Sequence, residues 1–307
     1  MENFVSIPAP AKINLFLDVT GRRPDGYHTI TGVMHTLGFG DLVTVSLRKA
    51  SGTGGITLRN VSTLFPRLEK SLPTDGRNIG WRAAEAYMSA AGMDAADWAV
   101  GITIEKCIPS PAGLAGGSAD AAAVLRALDA LTGGAVAEPD MYAMAARLGA
   151  DVPFCLHGGA CITRGIGDEL TAVPTLPACD VLIACAGEGV STPAAYRELD
   201  ALYGGFAGGA YRPHTEELQA QLDCLASGDL AGAGRHAYNL FESVILPRHP
   251  EARREKEIMT AHGALCAMMS GSGPAVFGLF EPGTAKDAAD ALTDAGLCPC
   301  IRIPAAQ

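Results

Sequence analysis

A glycine-rich stretch in the first half of the chain constrains the fold most. Residues 108–120 read IPSPAGLAGGSAD, and they join an alternating apolar segment to an alanine-rich one. This order predicts a strand, a loop and then a helix that begins near Ser118. Glycines let the backbone approach an anion closely, and the first turn of a helix directs unpaired N–H groups at it. A tight strand-to-helix turn that binds nothing explains the same residues equally well.

Composition limits the classes of protein to consider. The chain has 307 residues, 48% of them hydrophobic, which is enough for two domains or one large α/β domain. The net charge of −10 argues against a general surface for nucleic acid or anionic lipid. No secretory leader and no apolar run of membrane-spanning length is apparent, and nine irregularly spaced cysteines fit reduced thiols. We expect a cytoplasmic protein without nucleic-acid or membrane partners; its oligomeric state cannot be predicted.

Hydrophobic periodicity predicts alternating helices and strands along the chain. The predicted helices cover 78–91, 118–131, 141–149, 216–226, 231–244, 251–263 and 286–296, and the predicted strands 5–20, 42–47, 56–58, 99–104, 158–163, 180–186, 275–280 and 300–303. Residues 203–211 contain four glycines and predict a mobile loop.

Two charged residues lie in apolar surroundings. Lys12 is flanked by Ala11 and Ile13 in the first predicted strand, so it either alternates out to solvent or faces a cleft as a partner for an anion. Asp151 follows the predicted helix that ends at Gly149. It either caps a turn or needs a cationic partner, for which Lys12 is a candidate.

The turn-rich segment Pro-Asp-Gly before Tyr27 places an aromatic ring next to His28. The pair could stack on a nucleotide base and hydrogen-bond to it. A hairpin turn with Tyr27 packed on the core is the alternative.

Several nucleotide-binding and hydrolase fingerprints are missing. The chain lacks G-x-x-x-x-G-K-[ST], the G-x-G-x-x-G dinucleotide turn, the protein-kinase motifs, H-E-x-x-H and G-x-S-x-G. What remains is a glycine-rich loop, an isolated Lys12, Asp151 and a Ser-Gly-Ser-Gly turn over 270–273. Phosphoryl transfer needs donors for phosphate oxygens, a cation and an acceptor for the attacking hydroxyl's proton, so these residues together predict a phosphotransferase.

Three segments resemble the motifs of the GHMP kinases. They are PAKINL at 10–15, the stretch 109–121 and SGSG at 270–273, in matching order and separation, and the resemblance spans nearly the whole chain. It implies a two-domain α/β (α+β) fold with the active site in the interdomain cleft. An ATP-binding N-terminal domain would cover 1–163 and a C-terminal domain 164–307. The implied enzyme is an ATP-dependent small-molecule kinase that uses ATP and Mg²⁺.

The same resemblance implies roles for individual residues. Asp151 would be the catalytic base and Lys12 would orient it and stabilise charge. The substrate would be a small cytidine diphosphate molecule, with Tyr27 and His28 on the cytosine and Asn14 near the reacting hydroxyl. The remaining substrate positions would be Thr192, Pro193 and Tyr196.

The implied ATP positions lie in and around the glycine-rich stretch. Asn78 and Lys106 match positions on the adenine side, and the other positions are Pro109, Ala112, Gly113, Leu114, Ala115, Gly116, Gly117 and Ser118. Asp120 is expected to face away from ATP or to reach Mg²⁺ through water. The metal ligands are unknown, with Ser118 as a provisional one.

Two alternatives remain at this point. A homoserine or mevalonate type of GHMP kinase would have no use for Tyr27 and His28, because its substrate carries no base. A non-catalytic nucleotide-binding regulator would keep the loop but would not need both Lys12 and Asp151.

Overall fold

The computed structural model describes residues 3–50, 52–62, 64, 71–206, 211–297 and 300–304. Two compact units make up the chain, and each consists of three segments. The first unit contains the residues up to Ala11, Phe39–Pro109 and Ala115–Gly158, and the second contains Lys12–Gly38, Ser110–Leu114 and the chain from Gly159 onward. The glycine-rich stretch therefore contributes residues to both units. The predicted boundary near Thr163 stays a prediction.

In the first unit, alternating strands form a sheet covered by helices. Strand β2 (His28–Lys49) pairs antiparallel with β4 (Trp98–Glu105) from Leu42 onward, and β3 (Gly55–Val61) pairs parallel with the other edge of β4. The helices of this unit are α1 (Ile79–Ala90), α2 (Gly116–Thr132), α3 (Glu138–Leu148) and α4 (Val152–His157). Their apolar faces and the sheet form one buried core.

Helix α2 begins two residues before the predicted Ser118. Ala115 adopts a left-handed conformation (φ 58°), so the chain enters the helix at Gly116. The small alanines of α2 let α1 approach closely, and Tyr87 of α1 is fully buried with its hydroxyl 3.0 Å from Asp129 Oδ1. The helix ends at Gly133, which also has a left-handed conformation (φ 72°) and so closes the last turn.

The second unit contains parts of the long strands and a separate antiparallel sheet. Strand β8 (Tyr238–Asn239) pairs parallel with β1 (Asn3–Arg22), and β5 (Ala160–Arg164) pairs with β2 and with β6 (Glu169–Ala172). The separate sheet has the order β11-β7-β10-β9. Its strands are β7 (Asp180–Ala184), β9 (Cys266–Met269), β10 (Val276–Phe280) and β11 (Cys300–Ile303).

Six helices in the described part of the second unit pack around these strands. They are α5 (Thr192–Leu202), α6 (Thr215–Ser227), α7 (Leu230–Arg235), α8 (Glu242–Ile245), α9 (Pro250–Ala261) and α10 (Lys286–Asp294). Apolar residues from the sheet and helices form the second buried core. No helix among the described residues has both the length and the apolar character needed to cross a membrane.

The predicted helix over 231–244 is wrong. The segment instead folds as α7, the short strand β8 and α8. The Nδ2 group of Asn239 donates to the carbonyl oxygens of Met269 and Gly271, at 2.8 and 2.9 Å, and its Oδ1 accepts from the Phe241 N–H. These tertiary bonds and the pairing with β1 outweigh the local helix propensity of an alanine-rich sequence.

Most other predicted elements are confirmed within one to four residues at each end. Helix α3 ends at Leu148 with Gly149 as its C-cap, one residue from the predicted end, and β11 has the predicted bounds. Of the predicted mobile loop, residues 203–206 follow α5 and form a 3₁₀ turn (Gly204–Phe206), while 207–210 lie outside the described residues.

Candidate active site

One serine joins the three sequence motifs within the second unit. The buried Ser270 hydroxyl donates to the carbonyl oxygen of Gly113 at 3.0 Å, and its oxygen lies 3.4 Å from the backbone nitrogen of Asn14. A small hydroxyl can donate and accept at once, which suits it to a contact between two backbone segments. Residues from the first, second and third motifs therefore meet at a single side chain.

The two glycine-rich turns approach each other backbone to backbone. Gly113 has a positive φ of 78°, and a Cβ atom there would lie 2.1 Å from the carbonyl oxygen of Ser270. Gly271 has a φ of 59°, and a Cβ there would lie 3.4 Å from the Nζ of Lys12. Both positions need glycine, because any side chain would collide with its neighbours or strain the backbone. The lysine head group consequently lies against bare backbone.

Lys12 is buried, with only 4% of its surface exposed, so the solvated alternative is wrong. Its Nζ donates to Asn14 Oδ1 at 2.6 Å, and its backbone N–H donates to the carbonyl oxygen of Leu114 at 3.1 Å. Lys12 and Asn14 lie two residues apart on β1, so their side chains point to the same face of the strand. The structure thus places an ammonium and an amide next to the predicted phosphate loop.

Thr192 lies at the first position of α5, followed by Pro193, whose fixed φ suits the first turn of a helix. The hydroxyl of Thr192 lies 2.8 Å from the hydroxyl of Ser272 in the third motif. A predicted substrate position is therefore in contact with the same turn that holds Gly113.

The His28 ring is held on two sides. Its Nε2 lies 2.7 Å from Oδ1 of Asp200, and the ring stacks on Tyr196 with centroids 4.5 Å apart. Arg22 forms an ion pair with the other Asp200 oxygen at 3.2 Å. Tyr27 is 63% exposed, so it is not packed on the core.

Sequence reasoning missed Asp200. The signal was available in part, because Asp200 lies four residues after Tyr196 on α5 and so shares its helix face.

A buried charge cluster lies in the first unit. The Nζ of Lys106 donates to Oδ2 of Asp120 at 2.7 Å and to Oδ2 of Asp41, and all three residues are buried. The second Asp41 oxygen accepts from the N–H of Ile108 at 2.8 Å. Burial works to lower the pKa of Lys106, but the two carboxylates outweigh it and raise that pKa, while burial raises the pKa of Asp120.

This cluster adjoins the start of α2. A Cβ atom on Gly116 would lie 3.4 Å from the Nζ of Lys106. Asp120 is the acidic residue of α2 that lies nearest the glycine-rich stretch in the sequence. Its carboxylate bonds to Lys106, and the ammonium group offsets its negative charge. Asp41 was missed by sequence reasoning, and its only signal is an aspartate within an otherwise strand-like segment.

Both polar atoms of the Asn78 side chain bond to backbone. Oδ1 accepts from the N–H of Gly80 at 2.8 Å, and Nδ2 donates to the carbonyl oxygen of Pro73 at 2.9 Å. Asn78 is therefore the N-cap of α1. By contrast Ala115 provides no side-chain cap for α2, so the first turn of that helix offers its N–H groups without a capping side chain.

Asp151 directly precedes α4 and is half-buried. Its carboxylate does not cap this short helix. Its carbonyl oxygen accepts from the N–H of Cys155 at 3.0 Å. Asp151 belongs to the first unit and Lys12 to the second.

Comparison with known proteins gives family matches in both halves of the chain. The family model for the GHMP kinases N terminal domain matches residues 78–159, and that for the GHMP kinases C terminal matches 221–297. The chain is 39% identical to the 4-diphosphocytidyl-2-C-methyl-D-erythritol kinase of Mycolicibacterium smegmatis, over 97% of this chain and 89% of that protein.

Solved structures give a consistent result. A crystal structure of 4-(cytidine 5'-diphospho)-2C-methyl-D-erythritol kinase is 34% identical, with a TM-score of 0.72, and the match covers 97% of this chain and 98% of that one. A homoserine kinase from Cytophaga hutchinsonii has a TM-score of 0.75 at 18% identity, over 100% of this chain and 95% of that one, and so shares the fold alone.

The fold and the motifs are those of the GHMP kinases, which phosphorylate small molecules with ATP. Within that class, the chain belongs to the family of the 4-diphosphocytidyl-2-C-methyl-D-erythritol kinases.

Proposed function

We propose that the chain transfers the γ-phosphoryl group of ATP to the 2-hydroxyl of 4-diphosphocytidyl-2-C-methyl-D-erythritol, a step of non-mevalonate isoprenoid precursor synthesis. The observation that carries this choice is the exposed Tyr27 ring next to a His28 ring fixed by Asp200 and Tyr196. An exposed aromatic ring and an oriented imidazole are what a cytosine needs for stacking and hydrogen bonding. Homoserine and mevalonate contain no base for such a pair to bind.

The ATP side of the proposal uses the glycine-rich stretch and the start of α2. The N–H groups of Gly116, Gly117 and Ser118 lie in an uncapped first turn, where the helix dipole favours phosphate. Pro109 and residues 112–115 would complete the phosphate loop. The ion pairs of Lys106 and the N-cap bond of Asn78 fix the backbone near each of these residues. We propose that these two backbone segments line the adenine side of the ATP site.

In the chemical step, the 2-hydroxyl oxygen forms a bond to the γ-phosphorus as the bond to the ADP oxygen breaks. We propose that Asp151 accepts the proton of that hydroxyl and that Lys12 stabilises the negative charge of the transferred group. Burial of Lys12 supports this role, since a buried ammonium interacts with charge more strongly than an exposed one. Asn14, Thr192 and Pro193 would orient the substrate.

We propose that Mg²⁺ accompanies ATP and that the Ser118 hydroxyl is its protein ligand. Among the described residues, no group of three or more His, Cys, Asp or Glu side chains could hold a metal ion. Mg²⁺ in kinases takes most of its ligands from phosphates and water, so one hydroxyl in the first turn of α2 suits its chemistry. When bound, the ion would neutralise charge on the phosphates.

We further propose a cytoplasmic enzyme with sequence domains over 1–163 and 164–307 and with no nucleic-acid or membrane partner. All eight cysteines in the described part of the chain are free thiols, which suits a reducing compartment.

The direct experiment is an ADP-release assay with purified protein, ATP and Mg²⁺. We expect turnover with the cytidyl substrate and none with homoserine or mevalonate. Turnover of homoserine or mevalonate alone would overturn the proposed substrate.

The Asp151→Asn variant tests whether the protein is a catalyst or a nucleotide-binding regulator. General-base catalysis contributes about 10²- to 10⁴-fold, so kcat should fall by that order while ATP binding is retained. Asp140→Asn, at an exposed carboxylate of the same unit, is the matched control and should leave kcat unchanged. An Asp151→Asn variant with wild-type turnover removes Asp151 as the base.

A further inference from the structure

A buried glutamate in the second unit has no place in the chemistry described so far. Glu255 lies in the middle of α9 and is fully buried. Its Oε1 accepts from the N–H of Ala186 at 2.7 Å, and its Oε2 is buried without a partner among the described residues. A buried carboxyl that is only half satisfied costs folding free energy, which the bond to Ala186 offsets in part.

Ala186 is the point at which the chain leaves the sheet. Ala184, the last residue of β7, is still paired with Val276 on one side and Cys300 on the other. Two residues later, the backbone N–H of Ala186 has left both neighbouring strands, and Glu255 supplies its acceptor. Ala186 is half-buried, and this bond fixes where the following segment starts.

The segment that starts there ends at the substrate side. Residues 187–191 connect Ala186 to Thr192, the first residue of α5, whose hydroxyl contacts Ser272. Residues 187–189 in between are exposed, and Gly189 packs closely against another part of the chain. A Cβ atom on Gly187 would lie 3.5 Å from Oε2 of Glu251, and one on Gly189 would lie 2.3 Å from Cγ of Pro111.

We propose that Glu255 is a positioning residue for the cytidyl substrate: by fixing the backbone at Ala186, it determines where segment 187–191 delivers Thr192 and Pro193. The inference rests on the proposed function, since those two residues act there on the substrate. Glu255 itself does not touch the substrate and takes no part in the chemical step.

Protonation of Glu255 controls this contact. Burial raises its pKa from 4.5 to about 8; the Ala186 N–H opposes the rise and Glu251 adds to it. The ionisable groups near it are Glu251, on its own helix, and Cys185, whose own pKa is raised to about 12 by burial and by Glu255. Neither is a cation. Among the described residues, the Ala186 N–H is the hydrogen-bond partner of Glu255, so ionisation of the carboxyl draws water to Oε2.

Ionisation of Glu255 changes both the stability of the folded protein and its affinity for the substrate. Between pH 4.5 and about 8, Glu255 holds its proton more tightly in the folded protein than in the unfolded chain, so its contribution to stability falls as pH rises. Above about pH 8 the folded protein carries the buried charge. The ionised carboxylate is a stronger acceptor for the Ala186 N–H, but water drawn to Oε2 separates α9 from segment 187–191, which loosens. The affinity for the cytidyl substrate should then fall while the affinity for ATP does not.

The experiment compares the wild type, Glu255→Gln and Glu255→Leu between pH 6.5 and 9.5, with KM measured separately for the cytidyl substrate and for ATP. In the wild type, the KM for the cytidyl substrate should rise several-fold across pH 8 relative to Glu255→Gln, which keeps an acceptor for Ala186 but cannot ionise. Glu255→Leu should have the raised KM at every pH. The matched control is Glu257→Gln, at an exposed position of the same helix, which should follow the wild type.

If Glu255→Gln shows the same pH profile of KM as the wild type, the proposal is overturned, whether or not Glu255→Leu folds. Hydrogen exchange of a peptide covering 185–192 provides a readout that needs no substrate. At each pH its rate in the wild type is compared with that in Glu255→Gln, and the ratio should increase above pH 8. If the wild type does not turn over the cytidyl substrate, the proposed function fails, while this exchange ratio still decides whether Glu255 holds the segment.

Discussion

His28 and Asp200 are 172 positions apart in the sequence, and the Nε2 of the imidazole lies 2.7 Å from Oδ1 of the carboxylate. An acceptor at this distance requires Nε2 to carry a proton, which fixes the ring's tautomer and orientation. The other nitrogen, Nδ1, then acts as an acceptor in the neutral ring. The amino group of cytosine is a donor that matches it.

Replacing Asp200 with Ala should therefore weaken cytosine binding. Hydrogen bonds to charged groups contribute ~1.5–3 kcal/mol, which corresponds to a rise in the KM for the cytidyl substrate of about 10-fold or more. The KM for ATP should stay within about 2-fold of the wild type, since no ATP contact is removed. Steady-state kinetics with each substrate varied in turn measures the difference.

Asp290→Ala is the control for that variant, because Asp290 pairs with Lys286 on an exposed helix surface. Asp200→Asn should regain part of the affinity through its amide oxygen. If the KM for each substrate is the same in Asp200→Ala as in the wild type, Asp200 has no role in base recognition.

Tyr27→Ala should raise the KM for the cytidyl substrate with little change in kcat. Stacking on an aromatic ring contributes ~1–3 kcal/mol per base, or about 5- to 100-fold. Because Tyr27 is 63% exposed, its removal leaves no cavity and should not lower the melting temperature. Tyr27→Phe keeps the ring and should bind the cytidyl substrate like the wild type. A wild-type KM for that substrate in Tyr27→Ala would exclude stacking.

Gly113→Ala and Gly134→Ala form a matched pair. Both glycines have nearly the same positive φ, 78° and 79°, but a Cβ atom meets the Ser270 carbonyl only at position 113 and open space at position 134. Gly134→Ala should cost ~1–2 kcal/mol of unfolding free energy from backbone strain alone. Gly113→Ala should cost more and should also raise the KM for ATP. Urea unfolding and kinetics check both, and equal effects would mean that the close approach of the two turns is unimportant.

Lys106→Met should destabilise the first unit strongly, by about 3–5 kcal/mol, because Asp41 and Asp120 would lose their buried cation. The pKa of Asp120, already raised by burial, would rise further. A carboxyl whose pKa is raised in the folded state contributes less to stability as pH increases towards that pKa. The deficit should thus be larger at pH 8 than at pH 5 in urea unfolding. Lys286→Met, at an exposed lysine, should be nearly neutral at both values.

Local patterns predicted what depends on local physics. Hydrophobic periodicity over 141–149 predicted α3 and its end to within one residue. The glycine-rich stretch predicted a strand, a loop and a helix in the correct order. The motifs were sufficient for the class of enzyme. The start of α2 was misjudged by two residues because Ala115 adopts a conformation that alanine rarely takes.

What the sequence did not reveal depends on partners far along the chain. The break in the predicted helix over 231–244 comes from bonds between Asn239 and residues about 30 positions away. The burial of Lys12, the role of Asp41 and the contact of Asp200 with His28 likewise need tertiary structure. Periodicity records which face of an element is apolar, but it carries no information about which distant group a polar side chain meets.

The bond from Ser270 to the Gly113 carbonyl has a consequence for synthesis of the chain. During translation, residues 108–120 leave the ribosome long before residue 270 exists, so the glycine-rich stretch initially lacks the hydroxyl that bonds to it. Domains fold as they emerge, at about 5–20 residues per second, so the nascent loop would wait on the order of ten seconds for this contact. A nascent chain stalled before Ser270 could therefore form the core of the first unit yet have no assembled kinase site.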